Sequence, residues 1–217
     1  MPPNALVRPA AVEDTSFRIL IEAQRLVQTR GFNGFSYADI AAALGVTKAS
    51  LHYHFPSKAE LGRRLIDHYR EHFLDALRAI DETGADACGL LRAYVDIYAR
   101  VLGDDRMCLC GMLAAEYATL PAPMQASLRV FFETNEDWLT RLLAKGRAAG
   151  ELDFTGDPRE TANALTGALE GAMLVARAHG GAARFLTSAK LMLASFCGGK
   201  TSETRRPSRR PRNGGTS

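Results

Sequence analysis

Cysteine is scarce. Four residues in 217, at positions 88, 108, 110 and 197, are too few and too unevenly spaced for the disulfide framework of a small secreted domain. No apolar run approaches the ~18–20 residues that a membrane-spanning helix needs. The first thirteen residues lack the apolar stretch of a secretory signal. Nineteen glycines and nine prolines fall far short of a collagenous or low-complexity chain. No apolar–polar alternation of period two recurs, so strands are not expected. One further absence is local: the twenty residues from Ile40 to Ala59 contain no Asp or Glu. Together these shortages predict a globular helical protein of the reducing cytoplasm, with no membrane partner.

The net charge of +3 conceals an uneven distribution. The last eighteen residues carry six basic side chains and one acid, and the rest of the chain is net −2. An anionic partner must then be met by a local patch rather than by the average field. The tail has no apolar residue after Cys197, so it is expected to stay disordered. Between the termini the apolar residues recur at helical spacing. Ile19, Leu20, Ala23, Leu26 and Val27 share a face. Leu61, Leu65, Tyr69, Phe73, Leu77 and Ile80 keep one face apolar for about five turns. Later segments around Tyr94, Met112, Trp138 and Phe185 repeat the pattern. Ser36 with Asp39, Ser57 with Glu60, and Asp157-Pro158-Arg159-Glu160 read as helix starts. The class is all-α. The organisation expected is a flexible 1–13, a first unit over 14–60, a helical unit over 61–198 and a basic tail over 199–217.

The stretch Ser36 to Phe55 has the form of a helix-turn-helix. A capped helix meets a tight turn at Gly45, and a second short helix follows, with Ile40, Leu44, Val46, Leu51 and Phe55 placed to lock the pair. Thr47, Lys48, Ser50, His52 and Tyr53 are left on the outside of the second helix: donors and one cation, with no acid to repel a phosphate backbone. The bland alternative is a helical hairpin whose outer face merely lacks acids. The run Ile19 to Phe32, then Phe35-Ser36-Tyr37-Ala38-Asp39-Ile40-Ala41 and Leu44-Gly45-Val46-Thr47-Lys48-Ala49-Ser50-Leu51-His52-Tyr53-His54-Phe55-Pro56, through Leu61, resembles the N-terminal part of TetR-type repressors in order and spacing. Ala49 stands where that family often has glycine, and His52 where it often has tyrosine. The resemblance implies a dimer on palindromic double-stranded DNA. Ser36 and Tyr37 would set a helix N-terminus on a phosphate. Thr47, Lys48 and Ser50 would face the major groove, while His52, Tyr53 and Lys58 hold the backbone.

The second half carries more aromatic and sulfur side chains than packing requires. Tyr94, Tyr98, Cys108, Met112, Glu116, Phe131, Trp138, Glu170 and Met173 are the residues expected to line an effector cavity inside a helical bundle; plain core is the alternative for most of them. If Asp105 caps a helix, Cys108 falls in its first turn, where the helix dipole and Arg106 would lower the thiol pKa. Cys110 would point away, so the pair would neither cross-link nor chelate. The segment Met107 to Glu116 resembles the acrylate-responsive, AcuR-type branch of the same family, which implies a small unsaturated or electrophilic effector such as acrylate. The helix rich in Ala164, Gly167, Ala168, Gly171 and Ala172, together with the helix after it, is the expected dimer surface. His68 and His72 have metal-capable spacing but no third ligand, and neither a metal nor a cofactor is expected. A cysteine-dependent redox enzyme using Cys108 is the competing function; it would need a base beside the thiol, and no histidine lies between His72 and His179.

Overall fold

A computed structural model describes residues 10–197; the expected basic tail lies outside the described residues. Among these residues nine α-helices follow in order: α1 (Ala10–Arg30), α2 (Tyr37–Leu44), α3 (Lys48–His54), α4 (Lys58–Glu82), α5 (Ala87–Gly103), α6 (Leu109–Ala115), α7 (Ala122–Ala148), α8 (Pro158–Ala178) and α9 (Gly181–Cys197), with a 3-10 turn at Tyr117–Thr119 between α6 and α7. The described residues contain no strand. None of their helices is long and apolar enough to cross a membrane. α1 begins at Ala10, inside the segment expected to lie outside the fold.

The helix starts follow from side-chain caps. The Ser36 hydroxyl accepts from Ala38 N–H, and Asp39 reaches back to the Ser36 N–H at 2.7 Å. Asp157 accepts from the N–H groups of Arg159 and Glu160, with Pro158 at the first helical position. Ser57 caps α4 through Glu60 N–H at 3.1 Å, but the Glu60 carboxylate pairs instead with Arg63 and Arg64. α2 ends at Gly45, φ +66°, whose N–H returns to Ala41 O. That left-handed conformation favours glycine.

α1 to α3 and the start of α4 enclose a small core of Ile19, Ala23, Leu26, Ile40, Leu51, Phe55 and Leu61. α4 then leaves this head and packs along α7, while α5, α7, α8 and α9 form the bundle. Tyr94, Phe131, Leu139, Leu169, Met173 and Phe185 are its buried centre. At the far end of the bundle the sulfurs of Cys88 and Cys197 are joined, tying the start of α5 to the end of α9 with a Cα–Cα separation of 5.8 Å. Nothing local in the sequence links two cysteines 109 residues apart. Large apolar side chains stay exposed on α8 (Leu174, Val175) and α9 (Leu186, Leu191). A Cβ at Gly167 or Gly171 would meet nothing within 4 Å.

Candidate DNA interface and effector chamber

α2 and α3 are locked by specific bonds. The Tyr37 hydroxyl donates to Phe55 O at 2.8 Å, and its ring rests 4.8 Å from that of His52. Burial, then the charge of Glu60, pushes the Tyr37 phenol up to about 12, so the hydroxyl stays a donor at any working pH. Thr47 caps α3 by accepting from Ser50 N–H at 3.1 Å. Lys48 and Tyr53 project outward, Tyr53 at 75% exposure. Ser36, Tyr37, Lys48, His52 and Lys58 line one shallow cleft of about 360 Å³ on this face. Of the eight residues expected at a DNA surface, Ser36, Thr47, Lys48, His52 and Tyr53 are exposed on this head and Ser50 is half-buried.

Two have other work. Tyr37 spends its hydroxyl on the α3 carbonyl end. Lys58 is turned inward: its ammonium donates to Phe32 O (2.6 Å) and Phe35 O (2.5 Å) and sits over both phenylalanine rings, 4.6 and 4.3 Å from their centroids. Burial lowers its pKa. Lys58 therefore clasps the α1–α2 turn and is not a free cation for phosphate.

Inside the bundle a polar cluster crosses the core. The hydroxyls of Tyr94 and Tyr98 are 3.0 Å apart. Tyr94 donates to Asn135 Oδ1 at 3.1 Å, and Asn135 Nδ2 donates to Tyr98 at 3.4 Å. Beside this satisfied trio lie the Thr166 hydroxyl and the Glu170 carboxylate, whose oxygens are buried without a conventional hydrogen-bond partner. Burial pushes the Glu170 carboxyl up to about 7, against a smaller downward pull from the Cys108 thiol. Phe131 packs on Phe73 at 5.2 Å, and Met173 is fully buried. Trp138 stacks on Tyr94 (5.4 Å) and donates to Asp81 at 2.9 Å, which puts it at the chamber's outer wall. Tyr69, Asn135 and Thr166 were not among the residues expected from the sequence, yet they belong to this buried cluster. They are polar groups at buried register positions, and that mismatch was the available signal.

Cys108 departs from expectation. It is the residue before α6 rather than part of its first turn, with φ −52° and ψ 128° and no side-chain cap, because Asp105 adopts φ +56° and does not cap the helix. Both Cys108 and Cys110 are buried and free, and both lie within electrostatic reach of Tyr69 and Glu170. Burial, and then the charge of Glu170, pushes the Cys108 thiol well up; burial does the same to Cys110. Desolvation of a thiolate outweighs a short helix's dipole. A raised, buried thiol is the reverse of what a catalytic nucleophile requires.

Glu116 is the other correction. It points out of the chamber and accepts from the backbone of Phe32 (2.7 Å) and Asn33 (3.4 Å), the turn after α1. That turn requires Gly31, φ +84°, where a side chain would collide with Glu116. Met107 N–H donates to Gln28 O at 3.1 Å. Arg177, at the end of α8, donates to Gln28 O and Thr29 O at 3.2 and 2.8 Å. These bonds satisfy carbonyls that a helix C-terminus leaves open. Met112 lies half-buried between the chamber and this junction, its sulfur 3.9 Å from Arg177. His68 and His72 meet edge to face, their ring centroids 4.3 Å apart, and no group of three metal-capable side chains forms among the described residues.

A helix-turn-helix head on a helical bundle is the architecture of a DNA-binding transcriptional regulator. Residues 19–65 match the pattern described as bacterial regulatory proteins of the tetR family. Residues 87–190 match a tetracyclin repressor-like C-terminal domain. The transcriptional regulator AcuR of Cereibacter sphaeroides is 30% identical over 181 residues, covering 78% of this chain and 81% of that protein. The transcriptional repressor DhaR of a Mycobacterium species is 28% identical over 148 residues, 67% of this chain and 73% of that one. The crystal structure of a TetR-family regulator from Agrobacterium tumefaciens superposes with a TM-score of 0.83 at 36% identity, over 86% of this chain and 99% of its own. The chain belongs to the TetR family.

Proposed function

We propose that this chain is a dimeric repressor that reads a palindromic operator with paired α3 helices and lets go when a small effector enters the chamber. The observation that carries the reading is the outward face of α3. Lys48, Thr47 and Tyr53 stand outward on a helix pinned by Tyr37 and Phe55, in a stretch without acids. The dimer surface in this reading is the exposed small-residue and apolar face of α8 with α9: Gly167, Ala168, Gly171, Leu174, Val175, Leu186. One head reads only a few base pairs, and two-fold pairing places two heads roughly 34–36 Å or a multiple apart.

Release follows from the junction. α6 carries Cys110 and Gly111 beside the chamber, and the residue after it, Glu116, holds the turn after α1. α8 carries Glu170 in the chamber and Arg177 on the α1 carbonyls. An effector that displaces α6 or α8 alters both holds on the head. It shifts the equilibrium only by its difference in affinity for the two arrangements. The resemblance names an unsaturated acid or electrophile such as acrylate as effector. Selection of bound duplexes from a random DNA pool tests the operator claim: two inverted half-sites are expected, and a single non-repeated motif, or no enrichment, would reject it.

A further inference from the structure

Three buried oxygens on one face of α8 lack a conventional hydrogen bond, Thr166 Oγ1 and both carboxylate oxygens of Glu170 one turn further on; the Tyr94 hydroxyl beside Thr166 and the Cys108 thiol beside Glu170 are their nearest donors. Native interiors seldom leave such atoms unsatisfied, and three together describe a place for something that donates. The surroundings define what fits. The groups facing Glu170 are the hydroxyls of Tyr69, Tyr94 and Tyr98 and the thiols of Cys108 and Cys110. Among the described residues, no arginine, lysine or histidine acts on its charge. Aromatic rings complete the wall: Tyr69 to Phe131 at 5.8 Å, Phe73 to Tyr98 at 6.4 Å. The lack of a side chain on Gly111 is what lets the carboxylate come this close to α6, since a methyl there would strike it.

We infer that the chamber takes a small ligand with a protonated amine or amidine on an apolar, ring-sized body, its cation lodged between Glu170 and the Thr166 hydroxyl. The assignment rests on the reading above that this bundle takes an effector, and it departs from the unsaturated acid that the resemblance names. A cation gains from the carboxylate and from the ring faces together. An anionic ligand such as acrylate finds a carboxylate and no cation. The ligand also completes the ionisation of a carboxyl that burial holds near neutral pH, so uptake expels the Glu170 proton and strengthens as pH rises from 6 to 8. Tyr69, Tyr94, Tyr98, Cys108 and Cys110, the other titratable groups facing the site, are all pushed upward and keep their protons over that range.

The test is isothermal titration of the full chain with benzylamine, benzyl alcohol, benzoate and acrylate at pH 6 and pH 8. Benzylamine is expected to bind at least tenfold tighter than the other three, and tighter at pH 8. Glu170→Gln, its fold checked by circular dichroism, is expected to lose that preference by tenfold or more, and Thr166→Val to weaken it less. Equal or tighter binding of benzoate or acrylate to the unaltered chain, no uptake of benzylamine, or an unchanged preference in Glu170→Gln overturns the assignment. Operator DNA separates the two claims. Release by benzoate or acrylate without amine binding sinks the amine chemistry and leaves the repressor reading standing. Amine binding that never alters operator affinity sinks the effector reading and leaves the site.

Discussion

Replacing Glu170 by glutamine should change how stability depends on pH, by an amount the structure fixes. The carboxyl is held at about 7 against an ordinary value of 4.5, with burial as the leading cause. Its folded pKa lies above its unfolded one, so folding takes up a proton between those values. The favourable contribution is complete below the unfolded pKa and is lost as pH rises through the folded one. At about 1.4 kcal/mol per unit, moving from pH 5.0 to 7.5 removes about 2 kcal/mol. Glutamine has nearly the same shape and does not titrate. The stability of Glu170→Gln relative to the unaltered chain should therefore rise by about 2 kcal/mol over that interval, roughly 4–8 °C in Tm for a chain of this size. The neighbouring phenols and thiols stay protonated throughout, and groups elsewhere cancel in the difference. Thermal or urea unfolding of both proteins at pH 5.0 and 7.5, at one protein concentration and ionic strength, reads it directly. A gap that does not vary with pH would mean that Glu170 is hydrated or paired, and the orphaned-carboxylate account would fail.

Further expectations concern the surface and the thiols. Ala168→Arg places a charge on the exposed α8 face; if that face is the dimer contact, the cost is several kcal/mol, and sedimentation at low micromolar concentration should show monomer, whereas an intact dimer would move the interface elsewhere. Cys108 and Cys110, buried with raised pKa values, should both react with iodoacetamide at pH 7.5 at least tenfold more slowly than in the urea-unfolded chain; rapid, selective labelling of Cys108 would contradict its placement. Lys58→Met removes the clasp on Phe32 O and Phe35 O. It should lower Tm while leaving the salt dependence of DNA binding unaltered; a shallower salt slope would put Lys58 back on the phosphates.

What the sequence disclosed was largely local. Ser36 and Asp157 announce their helices because a cap needs only the next three residues, and Gly45 marks its turn because few other residues adopt its φ. The acid-free stretch was legible because charge needs no fold to be counted. Glu116 and Lys58 were misassigned because their partners lie 84 and 26 residues away; an exposed-looking charge in a motif carries no sign that a distant carbonyl or amide will claim it. Cys108 was misplaced because α6 starts at Leu109, three residues later than a cap at Asp105 would set it, and Asp105 adopts φ +56°. Thr166 and Glu170 sit four apart on a helix whose inward face is otherwise apolar. That pattern was visible, yet it separates a ligand site from a solvated edge only once burial is known.

Lys48 offers the most direct test of the claim that α3 is the DNA-reading element. Fluorescence anisotropy of a selected duplex, titrated across a salt series with the unaltered chain and with Lys48→Ala, measures both affinity and the number of phosphates engaged. If Lys48 meets a phosphate, the variant binds more weakly on every sequence, and its log–log salt slope is shallower by roughly one for each phosphate no longer neutralised. Undiminished affinity with an unaltered slope would take the outward face of α3 off the DNA and contradict the account.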